Sequence, residues 1–327
     1  MYLEIITTPN DDLKETGFGS LKSCNNVLKS LQELGYTARL NVCENIEDLN
    51  EIVSRKPDLV ILAVKYITIQ DHTKVWLSEF FAANHINFTG SSRETLKFDS
   101  NKVDAKVYLQ NKGIKTAKYF TALPDQYKDE SELPLKFPLF LKPLDAANGN
   151  GIDDQSYVTT FDEFQEKVTS LYALFNLPVL VEEFLEGNEY TVAVCKKENG
   201  ELLVAPIEII PPESKNGLRI LGELAKKSDT EELRKTIPGT VTKGVKELAI
   251  NVFNKLGIRD FGRIDIKTDK EENCYFMEAN LVPGMTYGTS YFPLALEIEL
   301  DLNYNKVVEL IIAGGISRIP VVSTIPA

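Results

Sequence analysis

The chain has 327 residues, 43% of them hydrophobic and 26% charged, and carries a net charge of −12. Its length exceeds the ~250–300 residues at which single cores stop growing, so two or three domains are expected. The acidity excludes a general binder of nucleic acid, because phosphate backbones select basic stripes, and no apolar run approaches the ~20 residues that cross a bilayer.

The first residues, MYLEIITTPNDD, lack the basic start and long apolar stretch of a secretion signal, which predicts a cytoplasmic protein without membrane contact. YLEIITT is expected as a β-branched strand, SLKSCNNVLKSLQELG as a helix closed by Gly35, and TARLNV as a second strand. IEDLNEIVSRKP is expected as a helix ended by Pro57, followed by the fully apolar strand DLVILAV and a helix over KVWLSEFFAANH. Strands alternating with helices imply a parallel sheet covered on its faces, here a unit of roughly 90 residues. The pattern is helical from Ser92 to Gly113, and PLKFPLFLKPL is the next strand. TTFDEFQEKVTSLYALF follows as a helix, with Thr160 and Glu163 at capping-box spacing. Strands then predominate in PVLVEEFL, NEYTVAVCKK and LLVAPIEII, with an irregular charged stretch from Pro211 to about Thr236. A helix over VTKGVKELAINVFNKLG leads to a hairpin of FGRIDIKTD and NCYFMEANL. The four cysteines, Cys24, Cys43, Cys195 and Cys274, are scattered with no C-x-x-C pair, and are read as reduced structural thiols.

The hairpin suggests a cluster of oxygen ligands. Strands alternate faces, so Arg263 and Asp265 share one face, and Phe276, Glu278 and Asn280 share a face opposite Tyr275, Met277 and Ala279. A turn centred between Glu271 and Glu272 sets Asp265 across from Glu278 and Arg263 across from Asn280. Two carboxylates about 5 Å apart repel unless a cation lies between them. Oxygen donors without sulfur or imidazole suit Mg2+ or Mn2+; the alternative is a solvated polar face on an exposed hairpin. The following LVPGMTYGTS places Gly284 at a turn whose amides could meet a developing oxyanion, or could simply turn the chain.

FLKPLDAANGNGI, residues 140–152, sets Lys142 at the end of an apolar strand before a loop of small residues, an arrangement suited to phosphate. Neither G-x-G-x-x-G nor G-x-x-x-x-G-K-[ST] occurs. The order FPLFLKPLDAANGNGI, LPVLVEEFLEGNEYTVAV, FGRIDIKTD and FMEANLVPGMT resembles the ATP-grasp superfamily, and within it the D-alanine–D-alanine ligase group. The resemblance covers about Phe88 to Pro293 and implies an α/β and α+β fold. An N-terminal parallel α/β domain (1–92) would precede two α+β subdomains (93–186 and 187–327) enclosing ATP.

By the same resemblance, Lys102 and Lys142 are the phosphate-binding lysines, and the loop from Asp145 to Gly151, with Asn148 and Gly149, is a flap over the triphosphate. Glu182, Glu183, Phe184 and Leu185 belong to the strand that meets adenine, chiefly through backbone groups; Glu189 takes the ribose, and Met277 also belongs to the nucleotide set. Asp265, Glu278 and Asn280 match the Mg2+ ligands. Arg263 and Gly284 match groups that steady an acyl-phosphate and a tetrahedral intermediate, and Ser290 a serine that contacts the second substrate's carboxylate. The implied reaction passes the γ-phosphate of ATP to a carboxylate, from which an amine displaces phosphate, so the partners are small amino-acid-like molecules. A homodimer is expected from the same likeness.

The chain departs from the group on the side of the amino-acid substrates. Phe18-Gly19-Ser20 stands where the group has E-V-S, with Glu15 one turn upstream, and AVKYITIQDH stands in place of H-G-x-x-G-E-D-G. The group's paired serines are Asn148 and Gly149 here, and Pro211–Thr236 has no clear Y-x-x-K-Y. A product other than D-Ala-D-Ala is therefore expected. D-alanine–D-alanine ligation itself, closure of a ring within one substrate, or nucleotide binding without catalysis remain as alternatives. His72 and His85 are expected at the surface, Trp76 in the core, and Lys65 or Tyr66 at the ligand-binding end of the third strand.

Overall fold

The structure is a computed structural model that describes residues 1–9, 17–70, 72–144, 149–214, 217–228 and 230–319, with the side chains of Ser100 and Lys227 left out. Three strands, β1 (Tyr2–Thr7), β2 (Thr37–Val42) and β3 (Leu59–Leu62), form a parallel sheet in the order β2-β1-β3. The connections run through α1 (Leu21–Glu33) and α2 (Ile46–Arg55), whose start is fixed by a capping box between Asn45 and Asp48. The central strand β1 and the edge strand β3 are buried almost throughout, as strands covered on both faces are. Glu4 is fully buried in β1; Arg55 Nε and Nη2 donate to it at 2.8 and 2.6 Å, and Tyr2 and Asn41 complete its hydrogen bonds.

The helix expected from Lys74 begins three residues later. A short hairpin of β4 (Tyr66–Thr68) and β5 (Lys74–Trp76) comes first, and α3 (Leu77–Ala83) follows. Trp76 is half-buried, its ring 5.2 Å from that of Tyr66 and beneath the Arg93 guanidinium at 3.7 Å. The helical stretch after Ser92 is two helices, α4 (Arg93–Ser100) and α5 (Lys102–Gln110). Asn101 between them is extended, and its side chain accepts from Asp104 N to cap the second.

A four-stranded antiparallel sheet comprises β6 (Tyr119–Ala122), β7 (Leu139–Pro143), β8 (Tyr157–Val158) and, after α6 (Phe161–Phe175), β9 (Val179–Glu183), in the order β6-β9-β7-β8. The Thr160–Glu163 capping box opens α6 as its spacing predicts. The largest sheet is antiparallel and five-stranded. It holds β10 (Glu189–Lys196), β11 (Leu202–Ile210), and, beyond α7 (Glu223–Ser228), the edge strand β12 (Glu232–Lys235). Helix α8 (Thr240–Leu256) precedes β13 (Phe261–Thr268) and β14 (Cys274–Asn280); α9 (Tyr291–Leu300) and α10 (Tyr304–Ser317) follow, and the strand order is β12-β11-β10-β13-β14.

Two cores result. The larger joins β1 and α1 to the five-stranded sheet and to Leu96, Phe98, Ala105 and Leu109 of α4 and α5. The four-stranded sheet closes with α6 on a separate core around Leu139, Leu141, Phe164 and Val181. No helix among the described residues is long and apolar enough to cross a membrane.

Candidate active site

Strands β13 and β14 pair with Asp265 opposite Glu278 and Arg263 opposite Asn280, the register that the hairpin argument predicts. The alternation assigned to β14 is broken, however. A register shift lies between Asp265 and Ile266, so that Ile266 faces Phe276 and Met277 is the extra residue. Phe276 therefore drops into the core, fully buried, while Met277 and Glu278 both line the cleft. The bulge is what puts a thioether beside a carboxylate on one face.

Asp265 is gripped by Arg263 from the same face, Nε to Oδ1 at 3.0 Å and Nη2 to Oδ2 at 2.9 Å. Thr191 Oγ1 donates to Oδ1 at 2.7 Å, and the Asn280 amide donates to Oδ2 at 3.2 Å. Glu278 stands 3.3 Å from Lys102 Nζ. Burial works to raise its carboxyl, but Lys102, Lys226, Lys142 and Arg263 together hold it far below the usual range.

Lys102 and Lys106 lie one turn apart on α5 and so share a face. Lys106 is fully buried, with Nζ 2.7 Å from Glu182 Oε1; Lys142 Nζ lies 2.7 Å from Glu182 Oε2. Burial alone would raise the Glu182 carboxyl, yet the two ammonium groups lower it to about 2. Burial opposes the charge on Lys142 as well, but Glu182, with Glu278 and Glu189 behind it, raises its pKa overall. Lys106 is lowered, desolvation outweighing the pull of Glu182. The Glu182 side chain is thus taken up by two ammonium groups.

Between the four-stranded and five-stranded sheets lies a cleft open to solvent. Lys102, Lys142, Glu182, Asp265 and Glu278 line it. So do Gly149, Glu183, Phe184, Leu185, Glu189 and Met277, with Phe140 and Ile152 adding apolar wall. Glu189 pairs with Lys267 at 3.6 Å, and the Glu183 carboxylate accepts from Lys118 N at 2.8 Å. Asn148, most of the expected flap and Glu15 lie outside the described residues.

The other expected positions lie apart from the lining. Gly151 packs against Phe175, Pro143 and Leu171, and its N–H donates to Glu223 at 3.0 Å, tying the glycine loop to α7. Gly284 and Ser290 meet in one turn, where Ser290 Oγ accepts from Thr286 N at 2.9 Å. That turn docks on the loop before α1 through Met285 N to Phe18 O at 2.9 Å and on α1 through a Ser23–Thr286 hydroxyl contact at 2.5 Å. Lys65 is buried beside Asp99 at 3.4 Å, and Asp99 also accepts from Leu281 N at 2.8 Å. His72 and His85 are exposed.

Sequence reasoning missed four residues of this region. Lys226 and Arg219 line the cleft from the charged stretch that precedes and forms α7, and Lys106 lies behind Glu182. Tyr291 also lines it, with the Arg263 guanidinium 5.6 Å from its ring and its hydroxyl bonded to Glu231; burial and Glu231 push that hydroxyl far up. The spacing of Lys102 and Lys106 was a usable signal, since a cation one helical turn from another marks a common face. Nothing periodic marks Lys226 or Arg219.

The family model described as D-ala D-ala ligase C-terminus matches residues 108–313. The chain belongs to the D-alanine–D-alanine ligase family. Among its relatives, the D-alanine–D-alanine ligase of Aquifex aeolicus (strain VF5) is 29% identical over 294 residues, covering 90% of this chain and 94% of that protein. D-alanine–D-alanine ligase B of Clostridium perfringens (strain 13 / Type A) is 26% identical over 304 residues, covering 91% and 94%. The solved structure of D-alanine–D-alanine ligase from Bacillus anthracis complexed with ATP superposes with a TM-score of 0.73 at 19% identity, covering 96% of this chain and 97% of that one. The fold is accordingly ATP-grasp, with its parallel and antiparallel sheets arranged as described.

Within that family fold, Asp265, Glu278 and Asn280 offer only oxygen donors and amide. Among the described residues, no group of three or more His, Cys, Asp or Glu could hold a metal. Such a sparse set suits Mg2+, which is commonly held by one or two carboxylates together with substrate phosphates. Phe18 is fully buried in the larger core, so its side chain presents nothing to a ligand.

Proposed function

We propose that the chain is an ATP-dependent carboxylate–amine ligase that joins two amino-acid-like molecules through an acyl-phosphate, releasing ADP and phosphate. The observation that carries this reading is the cleft itself, with Lys142 on the wall of the four-stranded sheet and Lys102, Asp265 and Glu278 beside the five-stranded one. Phe140, Phe184, Leu185 and Met277 form an apolar slot next to these charges, suited to a purine ring.

A carboxylate is a poor acylating agent, and phosphorylation supplies a leaving group. Lys142 and Lys102 bind the terminal phosphates, Glu189 the ribose, and Arg263 offsets charge on the transferring phosphoryl group. Asp265, Glu278 and Asn280 would hold Mg2+, which supplies charge neutralisation between the terminal phosphates. The Gly284 turn meets the oxygen of the tetrahedral centre, and Ser290 the carboxylate of the amine substrate. The glycine loop and α7, joined by Gly151 and Glu223, cover the cleft and exclude water from the acyl-phosphate.

The substrate pair differs from two D-alanines in this reading, because Phe18 is packed inside the core and Lys65 pairs with Asp99 at the end of β3. The second reading is D-alanine–D-alanine ligation itself, favoured by relatives of that name matching about nine-tenths of the chain. Phosphate release against a panel of amino acids, singly and in pairs, tests both. An active pair should yield ADP and phosphate; AMP and pyrophosphate would exclude the acyl-phosphate route. Glu278→Ala should abolish turnover and, because four cations lose their carboxylate, lower the circular dichroism melt; the conservative Glu278→Gln should abolish turnover in a protein whose circular dichroism spectrum is unchanged.

A further inference from the structure

Lys106 does not itself line the cleft, yet it is one of the largest fully buried side chains among the described residues. A lysine is almost never buried without a partner, and here the partner is a single carboxylate already engaged by a second lysine. Lys106 Nζ and Glu182 Oε1, though 2.7 Å apart, have no well-aligned hydrogen bond, so charge more than direction holds them together.

The local balance explains what this arrangement does. Glu278 has Lys102 at 3.3 Å and Glu189 has Lys267 at 3.6 Å. Glu182 has two ammonium groups at 2.7 Å, one on each oxygen, so the trio of Lys106, Glu182 and Lys142 carries one positive charge beyond neutrality at the wall of the cleft. Lys106 is sealed, whereas Lys142 lines the cleft; the surplus is therefore expressed at Lys142 Nζ. Without Lys106, Glu182 would neutralise Lys142 and hold its ammonium against β9. We propose that Lys106 is a positioning residue that occupies one oxygen of Glu182 and so leaves Lys142 available to an anionic ligand. The inference rests on reading Lys142 as a ligand of nucleotide phosphate.

The test is a double-mutant cycle on the full chain, read as the Kd of MgATP by titration calorimetry with circular dichroism melts alongside. Lys106→Met is expected to weaken MgATP binding about tenfold or more, and Lys106→Arg to restore most of it. Because Lys106 acts only through Glu182, adding Lys106→Met to Glu182→Gln should leave the Kd of the Glu182→Gln protein within about twofold. That pair also serves if Lys106→Met alone does not fold, since it removes the sealed Lys106–Glu182 charges together and leaves only Lys142, which lines the cleft. A folded Lys106→Met protein with unchanged affinity, or a further loss on adding Lys106→Met to Glu182→Gln, would overturn the inference. Failure of the wild-type chain to bind MgATP would instead overturn the nucleotide reading of the cleft.

Discussion

Gly151 shows how much a single hydrogen in place of a methyl can carry. Its φ is +77°, a region that disfavours side chains, and a Cβ there would lie 2.7 Å from Phe175 Cε2 and 2.9 Å from Pro143 Cγ. Neither neighbour is the far end of a flexible chain. Gly151→Ala should therefore destabilise the protein by about 2–3 kcal/mol, combining backbone strain with overpacking, seen as a lower denaturant midpoint at unchanged slope. At the same scale, the residues with a chemical signature were the legible ones. Lys142, Asp265 and Glu278 stand in patterned strands, and pairing alone puts the two acids together. Lys226 and Arg219 come from an irregular stretch whose path depends on tertiary docking, so no local pattern marks them.

Elements decide what those residues become. The hairpin argument placed the turn between Glu271 and Glu272, but beyond the shift the pairs run Ile266 with Phe276 to Thr268 with Cys274, which centres the turn on Glu271 itself. The bulge at Met277 restores the register at the site end, which is why the predicted pairs hold although the alternation does not. A bulge leaves no periodic trace in a seven-residue strand. Likewise, Val75 and Trp76 fit a helical pattern, yet pair with β4, because half-buried β-branched and aromatic residues serve a hairpin equally well. Helix α5 and strands β7 and β9 are tied together by Lys106, Glu182 and Lys142, and this tie has a pH signature. The folded Glu182 carboxyl, at about 2, lies below its ordinary value of 4.5. Its contribution is therefore complete above pH 4.5 and is lost as the pH falls from there towards 2. Urea midpoints should drop across that window, and the drop should be shallower for Glu182→Gln.

At the scale of the whole molecule, the connectivity of the cores matters more than the order of the domains along the chain. Leu3, Ile5 and Leu59 of the N-terminal sheet and Phe18 before α1 share a core with Val192, Ile264, Phe276 and Ile311, whereas the four-stranded sheet closes on its own. Asp260, at the start of β13, reinforces the first union: it accepts from Gly90 N at 2.8 Å and from Arg318 at 2.6 and 2.8 Å. A periodic pattern identifies each sheet but is silent on which sheets share a core, since an apolar face reads alike whatever covers it. Cooperative units follow packed cores. Amides of β1, β3, β10 and β13 should therefore exchange with hydrogen as one group, although about 130 residues separate β3 from β10. Those of β6, β7 and β9 should form a second group that opens at lower denaturant, because the smaller core has less apolar surface to expose. Native-state hydrogen exchange resolved by peptide would show this directly; a single isotherm covering all seven strands would mean that the cleft's two walls unfold together. Addition of MgATP should raise the second group towards the first, since a ligand held by Lys142 on one wall and Glu278 on the other stabilises only the closed arrangement of both.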